Sequence, residues 1–537
     1  VSIGAVAAAG LRSLSGGRVT PPAVIWVPAL FVGAVLMLPL IYLVVRTFDA
    51  GGDIWDLLFR QRIGTVLLRT ILLVVTVTGA SIFLAVPIAW LTTRTDLPLR
   101  RVWVVLSALP LVIPSYVAGF IVIAALGPRG MLQQALDGPF GIDRLPDIHG
   151  FVGALLTLTF LSFPYVVLTV RAALLRIDPA LEESSRILGR GNWTTFFSVT
   201  LPMLRPGIAA GGLLVALYTL SDFGAVSLLR YETFTWAIFI QYESALDRTL
   251  GAGMSLSLVI LALAIVGLEL FSRGRARYYS STTSISRPTS TIRLGRWKWP
   301  ALAFCGIVVV VSLVAPMSVL VYWVVRGISA GEPFNLVWTA VGNSVYVAAL
   351  AATATVIAAL PVAALSVRYP GVFSGFLERL SYIGFALPGI AIALSLVFFG
   401  ARYAPPLYQT TGFLLLAYVV LYLSPALGAV RTSLLQISPR IEEAARGLGN
   451  SPLRAFSSVT LPVARPGLMA GWALVFLLVM KELPATLILS PIGFNTLATS
   501  IWSNASEAFF ARAALPALLL IAASAVPLAF LMLRERR

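Results

Sequence analysis

The chain has 537 residues, 58% of them hydrophobic and only 11% charged, where an average soluble domain carries about 25%. That balance excludes an ordinary soluble globular protein. The net charge of +17 would suit nucleic acid or an anionic surface, but where the charges lie along the chain argues for membrane topology instead.

Apolar runs of about 20 residues recur, each long enough to cross a bilayer as a helix. They predict twelve spans, near 24–45, 67–91, 102–126, 151–175, 207–229, 253–272, 301–325, 343–367, 380–400, 412–430, 467–490 and 513–533. With the N-terminus in the cytoplasm, the segments facing that side hold 27 of the 39 Lys and Arg residues, among them Arg94, Arg100, Arg101, Arg171, Arg176, Arg368 and seven between 273 and 299. The opposite orientation would reverse the bias, so the positive-inside rule places both termini in the cytoplasm. The run beginning at Val24 reads as an anchor rather than a cleaved signal. Cys305 and His149 are each the single residue of their type, which excludes a Cys/His metal cluster; no metal site and no catalytic residue is predicted.

Two stretches repeat. "LEESSRILGRGNWTTFFSVTLPMLRPG" begins at Leu181 and "IEEAARGLGNSPLRAFSSVTLPVARPG" at Ile441, and 15 of 31 positions agree between 178–208 and 438–468. Upstream, Thr70/Ser344, Pro87/Pro361, Arg94/Arg368 and Pro114/Pro388 pair at an offset of 274 rather than 260. The organisation predicted is a tail (1–23), a first six-span half (24–272) with its loop at 178–206, a basic Ser/Thr-rich linker (273–300) and a second half (301–537) with its loop at 438–466. Parallel repeats suit a pathway between halves, a plan used by ion-driven and ATP-driven transporters alike.

Each loop reads as two short helices. Asp178-Pro179 and Ser438-Pro439 offer an N-cap and a first-turn proline. Glu182, Glu183, Glu442 and Glu443 sit where the helix dipole favours carboxylates, and Gly189 and Gly449 fit a left-handed C-terminal cap. A second helix is expected from Asn192 and from Ser451-Pro452, ending before Leu201-Pro202 and Leu461-Pro462. A mere return to the bilayer needs only a few residues. Either these loops present a rigid surface to a cytoplasmic partner, or they pack only on their own bundle.

The loops resemble the EAA signature of permease subunits of binding-protein-dependent ABC importers: Glu-Ala-Ala, a glycine four residues on, then Ile-x-Leu-Pro. The second copy fits as Glu443-Ala444-Ala445, Gly449, Val459 and Leu461-Pro462; the first has Glu183-Ser184-Ser185, Gly189, Val199 and Leu201-Pro202, with serines for both alanines. The resemblance implies an all-α integral membrane fold of the type I importer (MetI-like) class, twelve helices as two six-helix parallel repeats. It also implies docking on two copies of an ATP-binding subunit through Glu182, Glu183, Arg186, Gly189, Phe196, Leu201 and Pro202 in the first loop. In the second loop the equivalents are Glu442, Glu443, Arg446, Gly449, Phe456, Leu461 and Pro462.

The sequence lacks a Gly-Lys-Ser/Thr phosphate loop, so ATP-Mg is expected in the partner subunits and no cofactor on this chain. Short external loops imply that an extracytoplasmic solute-binding protein captures the cargo. Fused two-half permeases of this kind are similar to ferric-iron permeases, with thiamine permeases as relatives; polyamine, sulfate and phosphonate importers are further alternatives. The expected location is the bacterial inner membrane. Asp222 and Glu482 correspond at the 260 offset, both mid-span, where a charge must face a cavity or a partner. Two readings stand: symmetric carboxylates lining the pathway, offering oxygen ligands to a hard cation, or groups satisfied locally, Asp222 by backbone beside Gly224 and Glu482 by Lys481 or another donor. An ion-driven transporter and a non-transporting scaffold are the rival classes; both leave the duplicated loop without a transport role.

Overall fold

In a computed structural model, the structure describes residues 21–49, 56, 59–128, 130–141, 145–244, 249–272, 291–333 and 335–534. Most of the predicted N-terminal tail, the linker from 273 to 290 and the basic residues Arg536 and Arg537 lie outside the described residues. Among those described there is no strand, only a single parallel bridge between Thr95 and Ile292. Ten helices are long and apolar enough to span a bilayer, and two shorter apolar helices, Gly389–Tyr403 and Phe510–Ala525, take the remaining predicted positions.

In chain order the first half holds α1 (Ala23–Asp49), α2 (Gln61–Arg94), α3 (Arg100–Ala108), α4 (Ser115–Leu126), α5 (Met131–Phe140), α6 (Phe151–Arg176) and α7 (Pro179–Ile187). There follow α8 (Asn192–Thr195, a π-helical turn Phe196–Thr200, then Leu201–Ser221), α9 (Gly224–Leu228), α10 (Phe234–Ser244) and α11 (Thr249–Ser272). The second half holds α12 (Lys298–Val309, a π-helical turn Val310–Val314, then Ala315–Ser329), α13 (Asn335–Arg368), α14 (Val372–Ala386), α15 (Gly389–Tyr403), α16 (Thr411–Leu435) and α17 (Pro439–Gly447). It closes with α18 (Pro452–Ala455, a π-helical turn Phe456–Thr460, then Leu461–Met480), α19 (Pro484–Leu489), α20 (Leu497–Ser506) and α21 (Phe510–Arg534).

The helices depart from the expected spans in three ways. The span expected at 102–126 is broken: α3 and a 3-10 turn at Leu109–Val112 end at Ile113, which is extended (φ −76, ψ 121) ahead of Pro114. A residue before proline is pushed out of the α region by the pyrrolidine ring. The spans expected at 207–229 and 467–490 break at Asp222 and at Lys481–Leu483. Finally, the second loop helix does not end before Leu201-Pro202 or Leu461-Pro462 but runs on into α8 and α18 through a π-turn. Leu201 N–H donates to Phe196 O, and Leu461 N–H to Phe456 O. The proline that follows has no N–H to give, and its ring crowds the carbonyl four residues back. Opening that turn to the wider π register carries the helix past it. The π-turn in α12 precedes Ala315-Pro316 in the same way.

Contacts divide the chain into two units that cut across the sequence halves. One joins Val1–Leu38, Ala349–Phe385 and Tyr418–Phe476; the other joins Pro39–Ala348, Ala386–Ala417 and Leu477–Arg537. The core of the second unit lies where α2, α6 and α8 meet, with Leu73, Val77, Ala85, Val166, Val170 and Val215 buried. Lipid-exposed helices gain little from hydrophobic burial against one another, so close packing and interhelical hydrogen bonds carry the association. Ser81 and Ser162 hydroxyls meet at 3.3 Å, and Gly211 lets α8 press on α6, where a Cβ would stand 2.8 Å from Val166 Cα. In the first unit Gly467 does the same for α18 on α16.

Candidate functional site

The two duplicated loops have the same construction. Asp178 caps α7 by accepting from Ala180 N–H at 3.0 Å. Ser438 has the backbone of a cap, but its hydroxyl makes no capping hydrogen bond, contrary to the expectation for that residue. Both helices end in left-handed glycines, Gly189 at φ 83 and Gly449 at φ 89. Gly189 N–H donates to Arg186 O and Arg190 N–H to Ser185 O; Gly449 and Asn450 repeat this to Arg446 O and Ala445 O. This glycine cap turns the chain sharply and leaves the preceding residue projecting. Leu188 is 80% and Leu448 86% exposed, and Ile187, Trp193 and Phe197 are exposed with them in the first loop.

The predicted docking residues separate into an outer and an inner set. Glu183, Glu443 and Arg446 are exposed. Glu182 is buried and Glu442 half-buried, because neighbouring helical residues point about 100° apart. Phe196 is half-buried, edge-on to Trp90 at 5.6 Å; Phe456, Leu201, Pro202, Leu461 and Pro462 are half-buried. Arg186, also half-buried, sits 3.8 Å from Glu182.

The inner glutamates are held by arginines that the sequence places only among the basic residues of the cytoplasmic side. Arg94, the last residue of α2, is 1% exposed. Its Nη2 donates to Leu174 O at 3.0 Å and Ile177 O at 3.2 Å, and its Nε lies 3.7 Å from Glu182 Oε1. Thr200 Oγ1 donates to the same Glu182 oxygen at 2.9 Å. In the second half Arg368 ends α13, donates through Nη1 to Ile437 O at 3.2 Å and through Nη2 to Glu442 Oε1 at 2.9 Å, while Thr460 donates to Glu442 Oε1 at 2.7 Å. Buried charges require such partners. The signal was present: both arginines, both glutamates and both threonines survive in the two copies.

The departure of the first loop from Glu-Ala-Ala also has a structural counterpart. Ser185 and Thr195 hydroxyls meet at 3.1 Å in the buried seam between α7 and α8. The equivalent positions in the second loop are the buried alanines Ala445 and Ala455. The two seams are satisfied differently, one by a hydroxyl pair and one by small apolar side chains.

Asp222 and Glu482 both sit at helix breaks. Asp222 is buried, and its Oδ1 accepts from Ala225 N–H at 3.1 Å and Val226 N–H at 3.3 Å, capping α9. Its carbonyl accepts from Thr235 Oγ1 at 2.6 Å. Ser115, the first residue of α4, also hydrogen-bonds its carboxyl. Gly224 permits that approach, since a Cβ there would stand 2.9 Å from Ser115 Oγ. Glu482 Oε1 accepts from Ala485 N–H at 3.2 Å at the start of α19, and its carbonyl from Thr486 Oγ1 at 2.6 Å. Lys481 Nζ donates to Leu111 O at 2.9 Å, in the 3-10 turn before α4. Among the described residues no group of three or more His, Cys, Asp or Glu converges to hold a metal ion.

Comparison with known proteins matches the family "Binding-protein-dependent transport system inner membrane component" at residues 81–273 and again at 351–537. The Fe(3+)-transport system permease protein FbpB 2 of Haemophilus influenzae is 36% identical over 513 residues, covering 94% of this chain and 97% of that one. The ferric transport system permease protein FbpB of Actinobacillus pleuropneumoniae is 25% identical over 413 residues, 72% of this chain and 58% of that one. The molybdenum transport system permease protein ModB of Escherichia coli K12 is 34% identical over 161 residues, 29% of this chain and 69% of that one. Matched once in each half, with twelve apolar helices and no strand among its described residues, the chain belongs to the binding-protein-dependent transport system inner membrane components.

Proposed function

We propose that this chain forms the translocation pathway of an ATP-driven importer for ferric iron, and that α7 and α17 each dock one copy of an ATP-binding subunit. The observation that carries the cargo is the 36% identity to a ferric permease, which spans nearly the whole of both chains. The duplicated loops support docking: each exposes a large leucine on a glycine-capped turn, beside an exposed glutamate. In this reading both termini and both loops are cytoplasmic, and a solute-binding protein delivers iron from outside. ATP binding draws the loops together with the ATPase dimer and opens the pathway outward; hydrolysis resets it.

Asp222 and Glu482 close helix breaks in this reading, and whether they also line the path is decided by transport. The test is reconstitution in proteoliposomes with the ATPase and solute-binding protein encoded beside this permease. ATP-dependent uptake of ferric iron, with no uptake of molybdate or thiamine, is the expected result. Molybdate uptake would transfer the cargo to the ModB-like reading; uptake without ATP would overturn the importer reading altogether.

A further inference from the structure

We propose that Arg94 and Arg368 are the joints through which the docked ATPase moves the membrane helices: positioning residues whose loss uncouples ATP hydrolysis from transport without releasing the ATPase. The proposal rests on the importer reading above. Its ground is where each arginine reaches. A helix of nine residues such as α7 has no stability of its own. It joins α6 through only Ile177 and Asp178, so a push on Leu188 would be absorbed by bending at those two residues. Arg94 spans that bend. It holds Leu174 O of α6 on the near side and Ile177 O within the bend, and faces Glu182 on the far side, from the end of a third helix, α2. Thr200 ties the same carboxylate oxygen to the π-turn of α8. One buried guanidinium and one carboxylate therefore fasten α2, α6, α7 and α8 to each other.

The second half repeats the joint in part: Arg368 holds Ile437 O within the bend from Gln436 to Ser438, and with Glu442 and Thr460 it joins α13, α17 and α18. Arginine suits the task, since its planar fork offers several fixed donors where lysine offers a point charge. The glutamate in the joint precedes the exposed glutamate of the docking face by one residue in both loops. Docking and transmission thus fall to adjacent residues that point about 100° apart on one helix.

The experiment compares the complete transporter in proteoliposomes for five variants: R94Q, R94K, R94Q/E182Q, T200V and the docking control L188S/L448S. Three readouts are taken together: co-purification of the ATPase, stimulation of ATP hydrolysis by iron-loaded binding protein, and iron taken up per ATP hydrolysed. The control should retain less ATPase, the loss falling chiefly on the second site. R94Q should keep the ATPase, yet lose the stimulation and lower uptake per ATP at least tenfold, with R94K intermediate. T200V, which removes one hydroxyl, covers the case in which R94Q does not assemble, and should lower uptake per ATP about threefold. Adding E182Q to R94Q should cause no further loss, because both act on one link. Uptake per ATP within twofold of wild type in an assembled R94Q or T200V transporter would overturn the proposal. A wild-type complex that shows no ATP dependence would instead overturn the importer reading beneath it.

Discussion

At the residue scale, a charge buried in an apolar chain reveals its role by what it touches. Asp222 spends its carboxylate on two backbone N–H groups that the break after α8 would otherwise leave bare. Asparagine retains an acceptor oxygen in the same place; alanine does not. D222N should therefore unfold at the same temperature as wild type within error. D222A should lose about 1–3 kcal/mol, the cost of a lost cap and of unsatisfied buried donors, read by thermal unfolding of the purified complex. Iron uptake by D222N/E482Q separates the two roles: uptake intact leaves these carboxylates as caps alone, and uptake abolished in a stable protein makes them part of the path. The identity and pairing of the two residues were legible in the sequence because they recur at one offset. The backbone partners of Asp222 beside Gly224 were legible too, but Ser115, which also bonds its carboxyl, was not, since it lies on a segment far away in the chain.

At the element scale, hydropathy locates ten helices long enough to cross a bilayer and two shorter apolar ones, because bilayer thickness fixes helix length, and the left-handed glycines follow from their place after a charged, amphipathic turn. Breaks and π-turns escape that reasoning. Proline signals interruption in both cases, but Pro114 breaks its helix whereas Pro202 and Pro462 are carried through by one wider turn. The choice depends on whether packing holds the helix on both sides of the proline, which composition does not encode. A π-turn contains one residue more than an α-turn, and one residue is about 100° of rotation. P202A removes the reason for the π-turn at Phe196–Thr200. Reversion to the α register would turn Trp193 about a quarter circle relative to the rest of α8 and spoil the first docking face. The expected outcome is ATPase binding weakened about tenfold, or ~1.4 kcal/mol, with the membrane helices as stable as before. A titration of the ATPase subunit against permease in nanodiscs reads it, and an unchanged affinity would show that the register is held by something other than the proline.

At the scale of the whole molecule, duplication gives two loops the same frame and then lets their surfaces diverge. The sequence halves were legible as repeats; that the compact units cut across them was not, because α1, α13, α16 and α18 each contribute to both units and no local signal marks the crossing. The proposed docking faces diverge at the positions that protrude most. The first carries Ile187, Leu188, Trp193 and Phe197, all exposed. At the places of Ile187 and Phe197 the second carries exposed Gly447 and Ser457, leaving Leu448 with fewer apolar neighbours. Burying one leucine is worth about 1.5–3 kcal/mol, so the face that depends on it most loses most when it is removed. L448S should weaken the second ATPase site by about ten- to a hundredfold. L188S should change the first by less than about fivefold, because Ile187 and the two aromatic rings still offer apolar surface there. Titration of the ATPase subunit into each variant, resolved into two dissociation constants, would show it. Equal losses at both sites would mean that the groove reads only the glycine-capped leucine, and that the extra apolar surface of the first loop serves some purpose other than affinity.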